Sequence, residues 1–352
     1  MPSPYIAGLT RALTELLAVA NITQFPAPAE REDRSTRAWR DADCAIRHTQ
    51  AGMAEDLLLL PTLMKSLERG GPGQGAPVHR RSGIFVEIGA LDGITGSNTY
   101  MLEKCFGWTG VLIEGNPTNF ARLRKSERSA AMVHASVCPP SAGSVTMTEA
   151  GEGVAANVDA MGPSIKKYFW SQRGQLARTV TVPCVTMSAL LDACGFGHAD
   201  YLSVDVEGGE DKILAGTDPS RFTIIETEEL PAAVRGSGRR GWNSATVADP
   251  AKEARVHSAL TAAGFRRSSS LWLPWGRLYL SGEAQEVSML RPAPTRQGLD
   301  THMALFGEGG MLYRARVERL VAALPPPPAD RRATVPATNP PFKWPNWPYK
   351  KP

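Results

Sequence analysis

Asp205, Glu207 and Glu210 fall within one short stretch, Ser203-Val204-Asp205-Val206-Glu207-Gly208-Gly209-Glu210, with two glycines between the second acid and the third. Asp205 and Glu207 are two positions apart, so on an extended segment they share a face, and the glycine pair lets the chain fold back toward them. Carboxylates so placed can take the proton of a neutral hydroxyl, which is a poor nucleophile near pH 7. They could also hold Mg²⁺, which prefers oxygen ligands and keeps waters. Direct base work is the preferred reading of the two. Glu210 has a structural alternative, an acid at a helix start, where the dipole favours negative charge. His134 and His198 are the histidines considered with them, since histidine changes charge near neutrality. His134 joins the candidate catalytic set, although a histidine inside an apolar run is commonly a packed structural residue; His198 reads as a loop residue.

A second constellation lies upstream. Ile84-Phe85-Val86-Glu87-Ile88-Gly89-Ala90-Leu91-Asp92-Gly93 reads as a buried parallel strand ending in a glycine loop, where backbone comes close to a ligand. Ser97 or Asn98 can cap a helix through Tyr100 to Lys104, whose free N–H groups face that loop. The next strand, Thr109 to Ile113, ends at Glu114, about twenty residues past the glycines, the spacing of ribose-binding acids in dinucleotide folds. Asp92 reads as a turn former. Strand, loop, helix start and spaced acid together form a nucleotide-site signature.

Glu87-Ile88-Gly89-Ala90-Leu91-Asp92-Gly93, Ser97-Asn98-Thr99, Leu102-Glu103, Gly107-Trp108-Thr109-Gly110, Ile113-Glu114, Asn116-Pro117 and the acidic stretch from Ser203 to Glu210 resemble the FkbM family of S-adenosylmethionine-dependent methyltransferases. The resemblance runs from Phe85 to Glu228. It implies a class I methyltransferase fold, S-adenosylmethionine as cofactor, and methyl transfer, typically to a hydroxyl oxygen of a small-molecule or glycan acceptor. On that reading Gly89, Ala90 and Gly93 give backbone approach to the cofactor. Glu87 and Asn98 serve its amino acid end, Glu114 its ribose, and Ser136, at the end of a third strand, reaches the adenine. The alternative for Glu87 is an acid that braces the loop. One departure stands out: Leu91 occupies a place where many class I enzymes carry a further glycine. Two readings compete. A nicotinamide-dependent oxidoreductase also uses a glycine loop and a ribose acid, but Gly89, Leu91 and Ile94 do not reproduce G-x-G-x-x-G. A non-catalytic interaction protein could keep the fold without the activity.

Lys and Arg number 39 against 35 Asp and Glu, a formal net charge of +4, too small to argue for a nucleic-acid partner. Cys44, Cys105, Cys138, Cys184 and Cys194 are scattered, odd in number and without CxxC spacing. That argues against a zinc site or a disulfide framework and predicts reduced thiols. The apolar stretch from Tyr5 to Ala20 is interrupted by Arg11 and Glu15 and follows no basic leader, so it is not read as a signal peptide. No later stretch reaches about 18 uncharged apolar residues, so no membrane span is expected. A cytoplasmic address is the default expectation.

The elements that must position these groups alternate strand and helix, which predicts a parallel, doubly wound sheet. With the class I resemblance the expectation is an α/β fold. It comprises a Rossmann-like seven-stranded sheet, mostly parallel with an antiparallel closing strand, and helices on both faces. The closing pair is placed around Ser269–Leu273 and Arg277–Leu280. Residues 1–75 are expected as an N-terminal helical extension and linker, with 30–47 exposed and Pro61 limiting a helix over 54–67. The methyltransferase domain is expected over 76–282, with 139–178 as an acceptor-side insertion carrying Lys166 to Trp170. Residues 283–352 are expected as a C-terminal extension with one helix and a proline-rich tail.

Overall fold

The computed structural model describes residues 34–52, 54–67, 83–148, 156–160, 178–229, 249–269, 271, 273 and 275–287, the side chains of 34–39 excepted. The expected helices near residues 5–17 and 311–324, the glycine linker at 70–75, the cluster Lys166–Trp170, Trp242 and the proline tail lie outside the described residues.

Five apolar runs form the sheet's centre. β1 (Ile84–Ile88), β2 (Thr109–Glu114), β3 (Ala131–His134), β7 (Ala199–Val204) and β8 (Phe222–Glu228) are mutually parallel; β10 (Gly276–Leu280) runs antiparallel to β8, and β9 (Arg266–Arg267) antiparallel to β10, hence in the direction of the other five. The order is β3-β2-β1-β7-β8-β10-β9, so seven strands stand as expected, and the direction of winding reverses between β1 and β7. Successive side chains alternate across the sheet. Phe85, Leu112, Tyr201 and Ile224 enter one core, and Val86, Val111, Leu202 and Ile225 enter the other.

Helices cover both faces. α3 (Tyr100–Phe106) and Leu123 of α4 (Pro117–Leu123) pack on the first core. α5 (Met187–Ala193), α6 (Glu210–Ala215) and α7 (Pro250–Ala262) pack on the second. A further pair joins the first core: α1 (Arg34–His48), through Ala42, Ala45 and Ile46, and α2 (Glu55–Ser66), through Leu57 to Leu60 and Leu63. The described part of the expected extension is thus packed into the domain's own core: a helix forms at 34–48, where an exposed stretch is expected, and α2, over the expected run, continues through Pro61. Over residues 40–47 the charge-rich stretch is not the exposed segment expected. Asp41, Ala42, Ala45 and Ile46 of α1 are buried, because its apolar positions are sparse but gathered on one side. Among the described residues no helix is long and apolar enough to cross a membrane.

Three local expectations are corrected. The third strand breaks at Ala135: β3 stays in the main sheet, whereas β4 (Ser136–Val137) pairs with β6 (Thr179–Val185) in a separate three-stranded sheet, order β4-β6-β5, with β5 at Ser144–Thr148. β6, expected as an edge strand, is the middle of that sheet. β10 pairs with Arg266–Arg267 rather than with the stretch after it. Leu271 and Leu273 alternate like strand residues but are buried in the first core by the connection itself. The cysteines also differ from expectation. Cys44–Cys105 and Cys138–Cys184 are disulfides, and Cys194 is buried and free; partners 61 and 46 residues apart leave no spacing signal to read.

Candidate active site

The carboxyl ends of β1 and β7 meet at the reversal point, where an open α/β sheet leaves a crevice. Asp205 N–H donates to the Ile88 carbonyl at 3.1 Å, and Gly89 and Asp205 are exposed side by side at the mouth. Gly89 has φ +87, and a Cβ there would clash with the Asp205 carbonyl oxygen. Glycine is therefore required for the two strand ends to approach. Gly93, at φ +81, uses its bareness differently. A Cβ there would lie 2.6 Å from Leu123 Cδ1 and 3.1 Å from Ser126 Oγ, so its bare side faces α4 rather than the crevice. Between them Leu91 adopts a left-handed φ of 52, a conformation glycine takes more cheaply. The N–H groups of this loop are engaged internally: Gly89 and Ala90 donate to Ile113 O, Gly93 to Ala90 O, and Leu91 to Glu114 Oε2.

Glu87 is buried, and both its oxygens are satisfied. Oε1 accepts the Asn98 N–H at 2.9 Å, and Oε2 accepts the hydroxyls of Ser97 at 2.9 Å and Thr99 at 2.5 Å. Burial holds its carboxyl above the ordinary range, against the Arg128 charge and these hydrogen bonds. Both carboxylate oxygens are thus engaged by the chain's own groups, as the bracing alternative requires. Ser97 Oγ also accepts the N–H of Tyr100 at 3.0 Å, but the N-cap of α3 is Thr99, without a side-chain capping bond, rather than the Ser97 or Asn98 expected. The Asn98 side chain reaches across the crevice and donates to Ser203 Oγ at 3.0 Å. Glu114 likewise holds loops, accepting Leu91 N–H at 2.8 Å and Asn116 N–H at 2.7 Å. Burial lifts it to about 7, opposed by those two N–H bonds. Asp92 closes an Asx turn on Ile94 and Thr95.

The hub on this side is Arg128, which is buried and which no sequence motif marks out. Its guanidinium donates to Gly93 O at 2.5 Å, Ser97 Oγ at 3.2 Å and Thr99 Oγ1 at 2.8 Å, pairs with Glu103 at 2.9 Å, and lies 3.9 Å from Glu87. Ser126-Glu127-Arg128-Ser129 reads as a polar surface loop, so the local signal points the wrong way.

Across the crevice the acids crowd. Asp205 is open at the mouth, yet the groups packed about its carboxyl strip it of water and Glu210 repels its charge, raising it to about 6, opposed by a hydrogen bond with Glu228 and by the Lys252 charge. Glu207 takes a left-handed φ of 58, and burial, Asp205 and Glu210 push its carboxyl well up; Glu228 is raised in the same way. Glu210 is the first residue of α6, as its structural alternative has it; it is fully buried, pairs with Lys252 of α7 at 2.5 Å and accepts Gly208 N–H at 3.1 Å. Glu226, beneath them, accepts a hydrogen bond from Tyr201 and is pushed well above its usual value by burial. Lys252, Glu226 and Glu228 stand outside the expected set. The strand-end acids could be found by position, whereas the lysine lies 42 residues beyond its partner.

Asp205 and Glu207 are thus brought together, with Glu210 behind them. Among the described residues the one grouping of three His, Cys, Asp or Glu ligand atoms within 4.8 Å of one another is Cys44, His48 and Cys105. The three acids do not converge on a single cation position. His134 stands apart, three strand spacings from Asp205, roughly 14 Å. Its Nε2 lies 3.0 Å from the Gly115 carbonyl, and its ring stacks on Phe120 at 4.9 Å. Ser136 pairs with Cys184 in the smaller sheet. His198 contacts Thr223 Oγ1 at 2.8 Å.

A seven-stranded, doubly wound sheet with a glycine loop and strand-end acids along one rim defines a Rossmann-like methyltransferase fold. Residues 87–266, just over half of the chain, match the model of the Methyltransferase FkbM domain, and the chain belongs to that family. Sixteen solved chains match, among them two biosynthetic proteins. One is the pyocyanin biosynthetic protein PhzM, 12% identical, over 68% of this chain and 60% of that one, at a TM-score of 0.27. The other is CalO1, a methyltransferase in calicheamicin biosynthesis in its SAH-bound form, 14% identical, over 78% and 69%, also at 0.27. This chain therefore spans less than two thirds of the length of PhzM. No curated protein matches the chain.

Proposed function

We propose that this protein methylates a hydroxyl oxygen on a sugar or similar small acceptor, with S-adenosylmethionine as donor. The observation that carries this is the pairing of Gly89 and Asp205, both open at the reversal point, one beside the donor loop and the other a base. When bound, the donor supplies an electrophilic methyl group on a sulfonium centre. The chain's work is then to hold acceptor oxygen and methyl in line, and to remove the hydroxyl proton.

Asp205 is the proposed base. A carboxyl at about 6 is ionised near neutrality yet more basic than an ordinary aspartate. Glu210 sustains that basicity through its charge, fixed from behind by Lys252, and Glu207 stands beside it as the second candidate acid. Glu114 would serve the ribose through the lone pairs that its two loop bonds leave free. Ala90 and Gly89 would offer peptide faces, Asn98 would border the amino acid end, and Ser136 the adenine. Glu87 acts by holding residues 97–99 in place. The loop argues against a nicotinamide dinucleotide: a pyrophosphate needs free backbone donors, and the N–H groups of Gly89, Ala90, Leu91 and Gly93 are taken.

Calorimetry with S-adenosylhomocysteine tests the reading. The wild type is expected to bind it, and Glu114→Ala to bind it on the order of tenfold more weakly, the worth of one charge-assisted hydrogen bond. Absence of binding by the wild type, or unchanged binding by the variant, sinks the donor assignment.

A further inference from the structure

Four of the five cysteines stand in pairs, with Cα separations of 5.7 Å for Cys44–Cys105 and 5.5 Å for Cys138–Cys184, both typical of native bridges. The first ties α1 to α3, the helix that begins where Glu87 holds residues 97–99. The same N-terminal segment reaches that loop a second time, through a parallel bridge between Ala51 and Gly96. The second disulfide fastens β4, two residues past Ser136, to β6. Each closes a long loop, its partners 61 and 46 residues apart.

We propose that both pairs are oxidised cross-links of the working protein, so that the chain matures and acts in an oxidising compartment or outside the cell. Glutathione and thioredoxin keep cytosolic thiols reduced, and two bridges in one domain are foreign to that setting. The default cytoplasmic address gives way on this ground. Each bridge forms by exchange. A cysteine thiolate attacks the disulfide of an oxidised dithiol carrier, and the second cysteine displaces the carrier, which leaves with two electrons and two protons. The acceptor is then a hydroxylated molecule of that same compartment. That last clause rests on the proposed reaction; the cross-links and the compartment do not.

A competing state is visible in the geometry. His48 Nδ1 lies 3.7 Å from the sulfurs of both Cys44 and Cys105, so reduction would leave three potential zinc ligands. That nitrogen is 3.0 Å from the Cys44 carbonyl, a hydrogen bond that a metal would have to break.

The test uses full-length protein isolated from its own cells, alkylated before lysis and again in denaturant, then digested without reduction and mapped by mass spectrometry. The expected result is two linked peptide pairs, Cys44–Cys105 and Cys138–Cys184, with alkylation at Cys194 alone. Five alkylated cysteines, a different pairing, or stoichiometric zinc on a chain with Cys44 and Cys105 reduced overturns the proposal. On purified protein, dithiothreitol is expected to lower Tm by on the order of 10 °C. C44A/C105A should retain only the part of that response owed to the second bridge. An unchanged Tm after verified reduction removes the stapling role. No arm depends on activity, so its failure stays separate from failure of the proposed reaction.

Discussion

On the β1–β2 side of the crevice each oxygen of Glu87 and Glu114 accepts a hydrogen bond from a loop, and Arg128 ties those loops together. On the β7–β8 side Asp205, Glu207, Glu210 and Glu228 crowd around Lys252. Burial raises carboxyl pKa values on both sides. On the first, hydrogen bonds oppose the rise; on the second, neighbouring acids add to it. The first side is built to hold a shape, which binding needs. The second keeps carboxylates basic, which the proposed proton removal needs. The left-handed Leu91 and Glu207 mark the two sides equally, one in each loop.

The largest expected effect separates the two sides by function. Asp205→Asn should lower turnover about 10²- to 10⁴-fold, the usual worth of a positioned base, with S-adenosylhomocysteine affinity unchanged. If affinity falls while turnover holds, the division is wrong; if turnover is abolished by EDTA in the wild type, the acids serve a metal instead. Next in size, Arg128→Ala should cost about 3–5 kcal/mol of stability by denaturant unfolding, because it strands buried Glu103 and Glu87. Donor affinity should fall with it, since Gly93 and residues 97–99 lose their common anchor. Wild-type stability with intact binding would show that the loops hold themselves.

The pH profile gives a smaller effect. As the proposed base, Asp205 would work only when ionised, and its carboxyl stands at about 6, so turnover should rise between about pH 5 and 7 rather than being flat above pH 5. Lys252 lowers the Asp205 value, so Lys252→Met should move that limb upward in pH. A limb that stays in place would mean Lys252 serves Glu210 alone. The smallest change is Leu91→Gly, expected to alter stability by no more than about 1 kcal/mol, because relief of the left-handed strain offsets the added freedom of the unfolded chain.

The central strands, the glycine loop and the strand-end acids are legible in the sequence because each is a local pattern: an apolar run, a residue needing positive φ, an acid at a run's end. The strand-end positions of Asp205 and Glu114 are read in this way. Arg128 is not, because its partners Gly93, Ser97, Thr99 and Glu103 lie 25 or more residues away and its own neighbours look like surface. His134 is the converse case: its strand-end position is readable, but that β2 and β1 stand between it and Asp205 is not.

By itself the sequence determined the doubly wound sheet and the rim along which its acids fall, since strand pattern and side-chain alternation are properties of neighbouring residues. Tertiary structure alone decided which of those acids are hydrogen-bonded braces and which are crowded. It also decided that α1 and α2 belong to the core and that four cysteines meet. The physical reason is that burial, charge repulsion and disulfide bonding all depend on through-space distance, which spacing along the chain does not record.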